Sequence, residues 1–596
     1  MTNVVIATAG HVDHGKSTLV GALTGIDTDR WAEEKRRGLT IDLGFAWTQL
    51  GEHTVSVVDV PGHERFLGNM LAGLGPAPIV LFVVAADEGW QQQSSDHRDA
   101  VAALGIQHGI IVLTKTDLTT GPFDGLIDHV RSELAGTGLS SAPVVPVSAR
   151  TGQGLDELRE ALISLISEVP QPPETGRVRL WVDRAFTISG AGTVVTGTLG
   201  TGTLSTGDAV QIVGEGPTVA ADIRSLQSRE ESVPRLGPVN RAAVNLRGVS
   251  ADALHRGSAL ITPNTWHLTD VVDVRTTTAG DLGELPRDVT VHVGSASVSA
   301  HARPLGADHA RLTLPWPLPL QIGDAMVLRT SGERPVVGGV RILDVDPPAL
   351  TRRGDGARRT AALQELPDAG SMAAEVERRG VVRTELLRRF GYEVPTSLPA
   401  EVIMQDGWLI HRDQLSTWSD ALRQAVTQEH ARNELAGGLT LGAARDQLSL
   451  PDAALLPLVV QSAELTIADG RIRTPGTDPT LGAAESAVAQ LERRLETEPF
   501  LAPEAHELQR LGLGPRELAA AHKQKRLLRL PGDVVLLPIA PALAMREIAQ
   551  LPQPFTLSQA RQALGTTRRV AVPLLELLDQ RGWTRRVDGT LREVAR

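Results

Sequence analysis

The N-terminal stretch GHVDHGKS, residues 10–17, has the residue types and the spacing of a phosphate-binding loop. Its glycines allow backbone N–H groups to close on phosphate oxygens, Lys16 can reach the β- and γ-phosphates, and the Ser17 hydroxyl can ligate Mg²⁺. A strand-like run, VVIATA, precedes the loop and a helix-like run, TLVGALTG, follows it, which favours nucleotide binding over a Gly-rich packing turn. We therefore expect a nucleoside triphosphate and Mg²⁺ at Gly10, His11, Val12, Asp13, His14, Gly15, Lys16, Ser17 and Thr18.

A second group of residues suits the γ-phosphate side of the same site. In the segment DVPG, Asp59 ends a strand where its carboxylate can hold the Mg²⁺ shell, and Gly62 can aim its N–H at the γ-phosphate. Thr40 can ligate Mg²⁺ while the γ-phosphate is present, and its segment would be released after hydrolysis. His63 can orient the attacking water, although a lone histidine is also common as a structural or surface residue.

The segments TKTD and SAR, in that order after the loop, favour guanine as the base. Asp117 can accept hydrogen bonds from guanine N1 and the exocyclic amine, a pair of donors that adenine lacks. The stem of Lys115 can stack on the base, and the backbone of Ser148 and Ala149 can donate to O6. Thr114 stands where guanine-specific GTPases usually have asparagine, so specificity would depend more heavily on Asp117.

Alternating strand-like and helix-like segments must position these groups, and they predict a doubly wound α/β domain over residues 1–170. The strand-like segments, in chain order, are VVIATA, HTVSVVDV, APIVLFVVAAD, GIIVLTKTD and APVVPVSA. The candidate residues follow the carboxyl ends of these strands, where open α/β sheets bind their ligands.

Two other patterns occupy the rest of the chain. Residues 175–265 and 266–347 are rich in Val, Thr and Gly with short alternating strands, which predicts two β-barrels. Residues 350–482 and 483–596 alternate helical stretches with short strand pairs, which predicts tandem winged-helix units 1–2 and 3–4. The predicted fold class is therefore multidomain: an α/β P-loop GTPase domain, two β-barrels, then tandem winged-helix, mainly α domains.

The composition limits the classes of protein to consider. At 596 residues the chain is expected to hold roughly three to five domains. It has no cysteine, which excludes disulfides and thiolate metal sites, and no apolar run of membrane-spanning length. The net charge of −11 argues against binding nucleic acid with the whole surface, but not against a local basic patch. We expect a cytoplasmic protein and a monomer.

The segments GHVDHGKST, GLTID, DVPGHE and TKTD together resemble the translational GTPase superfamily of elongation factor Tu. The resemblance implies a GTPase that uses GTP and Mg²⁺, is stimulated by the ribosome and is slow without it. It also implies that His63 positions the attacking water, with Val12 and Leu39 as an apolar gate beside it.

The same resemblance implies an aminoacyl pocket between the first domain and the first barrel. Aligning FTISG and VNLRG with the family puts Asp183, Arg184 and Arg241 around this pocket, where general factors have acidic or neutral residues. Two guanidiniums facing an aminoacyl side chain imply an anion. A selenol is more acidic than a thiol, so selenocysteine would be ionised at neutral pH and would accept charge-assisted hydrogen bonds that serine does not. The alternative is surface arginines paired with acidic neighbours such as Asp183.

The last predicted winged-helix unit concentrates arginines. Residues 551–596 contain eight arginines, no lysine and four acidic residues, a local net charge of +4 on an acidic protein. Arginines at a helix N-terminus suit phosphate contacts, and their planar groups can read a splayed base. An RNA-binding surface is predicted, with a protein-interaction winged helix as the alternative. The candidate residues are Thr567, Arg568 and Arg569 at the turn into a helix, and Arg585 and Arg586 on the wing.

Residues 555–594 and the segment IDLGFA, residues 41–46, also resemble the bacterial selenocysteine-specific elongation factors, the SelB family. This resemblance implies that the final winged helices bind the selenocysteine insertion hairpin of an mRNA, and that the tethered domains deliver selenocysteyl-tRNA to the ribosome at a UGA codon. Two alternatives stay open. A general elongation or initiation GTPase would lack the arginine pocket and the long tail, and a regulatory nucleic-acid-binding protein would use the GTPase as a switch without tRNA cargo.

Overall fold

The computed structural model describes residues 2–28, 40, 42–190, 192–330, 336–432, 437–476 and 481–595. Leu39 of the expected gate and Ile41 of the IDLGFA segment lie outside these residues. The chain divides into two compact units, Met1–Pro399 and Ala400–Arg596. None of the helices in the described ranges is long and apolar enough to cross a membrane.

The first domain is built on a six-stranded sheet with the strand order β2-β3-β1-β4-β5-β6. Its strands are β1 (Thr2–Ala9), β2 (Gly44–Leu50), β3 (His53–Asp59), β4 (Ile79–Ala85), β5 (His108–Thr114) and β6 (Val144–Pro146). The helices are α1 (Lys16–Thr24), α2 (Leu67–Leu74), α3 (Gln92–Leu104), α4 (Asp124–Glu133) and α5 (Leu155–Glu168). β4 is buried along its whole length, as expected for a central strand in a sheet covered on both faces.

The sheet is mixed, because β2 runs antiparallel to β3 while the other neighbours are parallel. The segment of β2 was absent from the strand-like segments of the sequence. Only Gly51 and Glu52 separate β2 from β3, and Gly51 has a φ of 57°. A connection of two residues makes a hairpin, whereas a parallel neighbour needs a crossover of about a dozen residues or more. The predicted α/β GTPase fold is confirmed, with this one antiparallel edge.

The second domain is a closed barrel in which β10-β15-β7-β8-β14-β11 are neighbours and β10 pairs with β11. Its strands are β7 (Arg179–Ile188), β8 (Gly192–Leu199), β9 (Leu204–Ser205), β10 (Ala209–Val213), β11 (Val219–Ser228), β12 (Glu231–Val233), β13 (Arg235–Leu236), β14 (Asn240–Arg247) and β15 (Ala259–Ile261). Alternate residues such as Ala221 and Ile223 point into the core.

The third domain is also a closed barrel, with the order β16-β19-β18-β17-β20-β21. Its strands are β16 (Leu268–Thr276), β17 (Asp288–Val293), β18 (Ala296–Pro304), β19 (His309–Pro319), β20 (Ala325–Arg329) and β21 (Val336–Asp344). The pairing of β16 with β21 closes it. Both predicted barrels are therefore present.

A buried ion network attaches the following helices to the second barrel. The elements are α6 (Asp355–Gln364), α7 (Met372–Arg379), β22 (Val381–Arg383) and α8 (Thr384–Phe390). Asp273, fully buried on β16, accepts hydrogen bonds from Arg311 Nε at 2.7 Å and from Arg359 Nε at 2.6 Å. The boundary between the compact units, after Pro399, thus falls inside the range 350–482 that was expected to hold two winged-helix units.

The second compact unit alternates helices with short antiparallel strand pairs. Its strands are β23 (Val402–Gln405), β24 (Trp408–His411), β25 (Leu439–Thr440), β26 (Thr466–Ala468), β27 (Arg471–Arg473), β28 (Leu528–Leu530), β29 (Val534–Leu536), β30 (Phe555–Thr556), β31 (Thr584–Arg586) and β32 (Leu591–Val594). Its helices are α9 (Arg412–Arg432), α10 (Leu441–Leu448), α11 (Leu456–Ser462), α12 (Glu485–Thr497), α13 (Ala505–Arg510), α14 (Pro515–Lys523), α15 (Ala540–Ile548), α16 (Leu557–Ala563) and α17 (Arg568–Gln580).

The last two helix-and-hairpin groups share one apolar core. Leu491 of α12, Val535 of β29, Phe555 of β30 and Leu574 of α17 are all buried in it. The sheet β30-β32-β31 lies beside α16 and α17, which is the arrangement of a winged helix. The predicted winged-helix fold at the C-terminal end is confirmed.

Candidate nucleotide site and arginine pocket

The loop between β1 and α1 has a backbone that requires glycine at two positions. Gly10 has a φ of 134°, and a Cβ placed there would lie 2.2 Å from the carbonyl oxygen of Val83. Gly15 has a φ of 83° and is the N-cap of α1. The loop therefore lies against β4 and ends at the amino terminus of a helix, where backbone N–H groups favour an anion.

Lys16 lies beneath this loop with its ammonium buried. Its Nζ donates to the carbonyl oxygens of Gly10 at 2.9 Å and His11 at 2.7 Å. Burial lowers the pKa of Lys16 to about 8, although the negative charges of Asp59 and Asp13 act to raise it. Because the ammonium is poorly solvated, a phosphate oxygen bound beside it would stabilise its charge strongly.

The other loop residues surround this lysine. Asp13 is exposed with a φ of 59°, and Thr18 is exposed in the first turn of α1. His14 is buried, and burial lowers its pKa to about 4, so its ring is neutral at physiological pH. The N–H of Val12 donates to Gln93 Oε1 at 3.1 Å. These residues surround Lys16 and the loop backbone, and the contacts of the whole loop with phosphate stay a prediction.

The DVPG turn brings Gly62 directly against the loop. A Cβ at Gly62 would lie 2.6 Å from Lys16 Nζ and 2.7 Å from the nitrogen of Val12. Any larger residue would push the turn away from the lysine. The structure thus places the backbone of Gly62 beside the ammonium of Lys16, where its N–H could meet a bound phosphate.

Two hydroxyl groups at this end of the site are spaced as Mg²⁺ ligands would be. Ser17 Oγ and Thr40 Oγ1 are 3.0 Å apart, and adjacent ligands of an octahedral Mg²⁺, each about 2.1 Å from the ion, would be about 3 Å apart. Asp59 is fully buried and accepts hydrogen bonds from Thr8 at 2.8 Å and Thr28 at 3.0 Å. Its carboxylate therefore suits an outer position in the Mg²⁺ shell.

His63 caps the short 3₁₀ turn Glu64–Phe66 that follows DVPG. Its Nδ1 accepts the N–H of Arg65 at 3.2 Å, and its ring meets the edge of Phe66 with 6.1 Å between centroids. With Nδ1 used as an acceptor, the neutral ring carries its proton on Nε2. The side chain can therefore donate to a water and orient it, rather than remove a proton from it.

The base-side residues also converge. Ser148 Oγ donates to Asp117 Oδ1 at 2.7 Å, and Lys115 pairs with Glu88 at 2.6 Å. The N–H of Ser148 donates to the carbonyl oxygen of Gln153 at 2.9 Å, which leaves Ala149 as the candidate donor to O6. Donation from the backbone of both residues to the base stays a prediction, and Ser148 could take part only by giving up its bond to Gln153.

Thr114, the unusual residue in TKTD, ties the base side to the phosphate loop. Its Oγ1 donates to the carbonyl oxygen of His14 at 2.6 Å, and its side chain is buried. A hydroxyl at this position can thus hold the loop. Recognition of the base edge would depend on Asp117, as expected from the sequence.

Sequence reasoning missed His97, a buried residue of α3. Its Nδ1 accepts the N–H of Gly10 at 3.0 Å, and the ring also hydrogen-bonds to the backbone of Gly62. Burial, with the nearby charge of Lys16, lowers the pKa of His97 to about 3, so the ring stays neutral. His97 and Gln93 lie one helical turn apart on α3 and both face the phosphate loop. This i, i+4 spacing of two polar residues is the signal in the sequence that could have pointed to them.

The arginine pocket begins at a bulge in β7. The register between β7 and β8 shifts between Val182 and Arg184, so Asp183 is the extra residue. Asp183 Oδ1 accepts from Thr196 Oγ1 at 2.5 Å, and Oδ2 accepts from Arg241. Burial alone would raise the pKa of Asp183, but the Arg241 charge and these hydrogen bonds hold it below its ordinary value.

Arg184 and Arg241 meet at the ring of Phe45, on β2 of the first domain. Their guanidinium carbons lie 5.0 Å and 4.0 Å from the ring centroid. Arg184 pairs with Asp42 at 2.8 Å, and Arg241 pairs with Asp183. The structure brings the two predicted arginines together, but each already has a carboxylate partner, as the alternative interpretation held. Asp42 and Phe45 were not singled out for this pocket from the sequence.

The C-terminal arginines do not form one uniform surface. Thr567 and Arg568 are exposed at the start of α17, whereas Arg569 donates to the carbonyl oxygens of Ala502 at 3.2 Å and Pro503 at 3.0 Å. Arg569 therefore joins α17 to the preceding helical group, and its contact with RNA stays a prediction. The sequence predicted where the helix starts, but not which arginine side chain is exposed and which packs against the protein.

The two wing arginines differ from each other as well. Arg585 is 74% exposed and pairs with Glu593, so it stays accessible from solvent. Arg586 pairs with Asp579 at 3.4 Å and with Glu576 at 3.7 Å on α17. Arg568, Arg585 and Arg586 are thus exposed, whereas Arg569 is partly buried.

Three regions of the chain match models of known families. The model described as elongation factor Tu GTP binding domain matches residues 1–168. The model described as selenocysteine-specific elongation factor, beta-barrel domain, matches residues 269–349, and elongation factor SelB, winged helix, matches residues 546–591. These matches cover the nucleotide site, the second barrel and the arginine-rich end.

Curated relatives and a solved structure align over nearly the whole chain. The selenocysteine-specific elongation factor of Desulfomicrobium baculatum is 32% identical over 99% of both chains. That of Escherichia coli (strain K12) is 29% identical over 98% of this chain and 97% of its own. The crystal structure of a bacterial selenocysteine-specific elongation factor, EF-Sec, is 27% identical, covers both chains fully and has a TM-score of 0.74. The chain therefore belongs to the selenocysteine-specific elongation factor family, and it is a translational GTPase that binds guanine nucleotides.

Proposed function

We propose that this protein binds GTP with Mg²⁺, carries selenocysteyl-tRNA and delivers it to the ribosome at UGA codons. Its C-terminal winged helices bind a selenocysteine insertion hairpin in the mRNA. The observation that carries the proposal is the meeting of two guanidiniums, those of Arg184 and Arg241, at Phe45 between the first domain and the first barrel. Most aminoacyl side chains are neutral, so a general tRNA carrier has no use for two cations there.

The nucleotide is held by the loop that begins at Gly10. Lys16 exchanges its two carbonyl acceptors for phosphate oxygens, and the Gly62 N–H contacts the γ-phosphate. Bound Mg²⁺ neutralises charge on the β- and γ-phosphates, and Ser17 and Thr40 would hold it. These contacts make the position of Thr40 depend on the third phosphate.

Hydrolysis depends on the placement of one water beside the γ-phosphate. His63 orients that water through Nε2, since Nδ1 is held by the Arg65 N–H. The ribosome stimulates the reaction by bringing this side chain into place. Slow turnover without the ribosome keeps the tRNA bound until it is delivered.

Cargo selection uses charge. An ionised selenol accepts charge-assisted hydrogen bonds from the pocket, whereas the hydroxyl of serine is neutral and accepts weaker ones. The discrimination follows from one atom in the aminoacyl group, because selenocysteyl-tRNA and its seryl precursor share the same tRNA. The charge at that atom is the property that the two guanidiniums would read.

Hairpin recognition lies at the start of α17 and on the wing between β31 and β32. Arg568 suits phosphate contact at the helix N-terminus, beside the exposed Thr567. Arg585 on the wing can reach the adjacent strand of RNA. Two cations separated by the winged-helix framework suit a folded RNA better than a uniform basic patch does.

A reconstituted translation reaction tests the proposal. The mRNA carries a UGA codon followed by a selenocysteine insertion hairpin from the same organism, and the reaction contains this protein, selenocysteyl-tRNA and GTP. We expect full-length product that disappears when the hairpin is deleted. Equal full-length product with the hairpin deleted would exclude mRNA-directed delivery.

A further inference from the structure

A group of arginines lies where the chain leaves the second barrel. The segment of residues 349–360 contains four arginines and one acidic residue, a net charge of +3 on a chain whose net charge is −11. Three of these arginines, Arg352, Arg353 and Arg358, are exposed. The fourth, Arg359, is buried in the ion network that attaches α6 to the barrel. The segment therefore presents three cations to solvent beside an anchored one.

Arg303, exposed at the end of β18, adds a fourth exposed cation from the barrel itself. A Cβ placed on Gly356 would lie 3.9 Å from Arg303 Nη2, so the end of β18 and the start of α6 are close together. Arg303 is opposite Arg311 across the β18–β19 pair. The carboxylate of Asp273 accepts two hydrogen bonds from Arg311 and one from Arg359. This buried acid of the adjoining strand β16 is therefore already neutralised and does not pair with Arg303.

The barrel-end surface consists of Arg303, Arg352, Arg353 and Arg358. Within the described ranges of the chain, the side chains of Arg303, Arg352 and Arg353 make no hydrogen bond or ion pair. Arg358 pairs with Asp355 at 2.6 Å, and the other oxygen of that carboxylate accepts the backbone N–H of Arg352 at 2.6 Å. The acidic residue of the segment is thus used locally, and three guanidiniums are left without an anion.

The helix that carries part of this surface is fastened to the barrel. Leu363 of α6 is fully buried in an apolar cluster with Leu305 and Leu343. Thr360 Oγ1 donates to the carbonyl oxygen of Leu305 at 2.9 Å, and Arg359 Nη2 donates to Asp344 at 2.5 Å. Because the backbone is held at several points, a ligand of the surface would have to order only the arginine side chains.

A nucleic-acid backbone is the partner that fits a group of unpaired arginines on an acidic protein. Guanidinium groups donate bidentate hydrogen bonds to phosphate oxygens, and a local cationic surface attracts a polyanion. The surface belongs to the compact unit Met1–Pro399, which also contains Arg184 and Arg241, whereas the candidate hairpin-binding residues lie in the other unit. A tRNA held by its aminoacyl end at Phe45 would keep its other phosphates near this unit, so a second contact would cost little additional entropy.

We propose that the barrel-end surface binds backbone phosphates of the tRNA body, outside the aminoacyl pocket. The inference rests on the proposed carriage of selenocysteyl-tRNA and assigns a contact for the rest of that molecule. Phosphate contacts position a nucleic acid but do not read the amino acid attached to it. The surface therefore adds the same affinity for selenocysteyl-tRNA and for seryl-tRNA, and the arginine pocket accounts for the difference between them.

The test measures binding of both aminoacyl-tRNAs to the full-length protein at saturating GTP and several salt concentrations. The variant combines Arg303→Gln, Arg352→Gln and Arg353→Gln, and leaves Arg358 in its ion pair. We expect the affinity for both tRNAs to fall by about tenfold or more at low salt, and the slope of log affinity against log salt to become shallower by about two to three. Lysine at the same three positions keeps the charge and should restore most of the slope.

Separate measurements control for folding and for general loss of charge. The triple glutamine variant should bind GTP and the mRNA hairpin as the wild type does. Arg131→Gln, at an exposed arginine of α4, is the matched control for Arg353→Gln alone and should keep the wild-type affinity for tRNA.

Wild-type tRNA affinity in the triple glutamine variant would overturn the inference and leave the proposed function intact, even if ribosome-stimulated hydrolysis fell, because the surface would then contact ribosomal RNA. A loss confined to selenocysteyl-tRNA would also overturn it, since the surface would then read the amino acid. If the wild-type protein binds neither aminoacyl-tRNA, the proposed function itself fails and the inference fails with it.

Discussion

The ring of His97 accepts the amide N–H of Gly10 at 3.0 Å from inside α3, and the same ring is hydrogen-bonded to the backbone of Gly62. One buried side chain therefore joins the first residue of the phosphate loop to the turn that would read the γ-phosphate. Because its pKa is lowered to about 3, it keeps the same proton arrangement throughout the physiological pH range.

We expect His97→Leu to lower the affinity for GTP by about tenfold or more, because the Gly10 N–H loses its acceptor in a buried site. His97→Asn keeps an acceptor near the position of Nδ1 and should recover part of this loss. Equilibrium titration with a fluorescent GTP analogue measures both. His129→Leu, a change at an exposed histidine on α4, controls for the loss of a ring; a His97→Leu protein that binds like this control would show that the bridge is dispensable.

His63→Ala should leave the affinity for GTP nearly intact, because His63 contacts the Arg65 backbone and not the loop. Ribosome-stimulated hydrolysis should fall by about 100-fold or more, since an oriented water is lost. Single-turnover measurements with and without ribosomes separate the two effects. Unchanged stimulated turnover in this variant would remove His63 from the mechanism.

Much of the fold was predictable because periodicity reports burial directly. The buried run of β4 and the alternating residues of β11 are visible as patterns in the chain. The antiparallel edge of the sheet was not predictable. The residues of β2 do not form a continuous apolar run, and the direction of β2 depends on a two-residue turn.

The nucleotide site was also largely predictable, because GHVDHGKS and DVPG are local segments whose residues act near one another. The partners of Arg184 and Arg569 were not predictable in the same way. Asp42 lies 142 residues before Arg184, and Ala502 lies 67 residues before Arg569. Such contacts depend on how whole domains pack, and a single sequence carries no direct signal of that packing.

Arg568→Ala should weaken binding of the mRNA hairpin by about tenfold, because Arg568 is exposed at the start of α17. Arg569→Ala should instead lower thermal stability, since the backbone carbonyls of Ala502 and Pro503 lose their donor. Hairpin binding is measured by electrophoretic mobility shift and stability by thermal unfolding of the full chain. The reverse pattern, with Arg569→Ala defective only in RNA binding, would contradict the structural role given to Arg569.

The affinity for GTP should fall as the pH rises from 7 to 9. Lys16 has a pKa of about 8 in the protein, and phosphate oxygens would raise it, so binding above pH 8 requires uptake of a proton. The expected loss is about three- to tenfold over this range. Lys16→Met binds more weakly but should lack this part of the pH dependence, since ionisation of the base is common to both proteins. Parallel pH profiles for the two proteins would show that Lys16 stays charged throughout.

The central claim is that the pocket at Phe45 reads the charge of the aminoacyl group. The most direct measurement is the affinity of the GTP-bound protein for selenocysteyl-tRNA and for seryl-tRNA on the same tRNA, in wild type and in Arg184→Met. We predict that wild type binds selenocysteyl-tRNA at least about tenfold more tightly, and that Arg184→Met loses most of this preference. Equal affinities of the wild-type protein for the two aminoacyl-tRNAs would contradict the account.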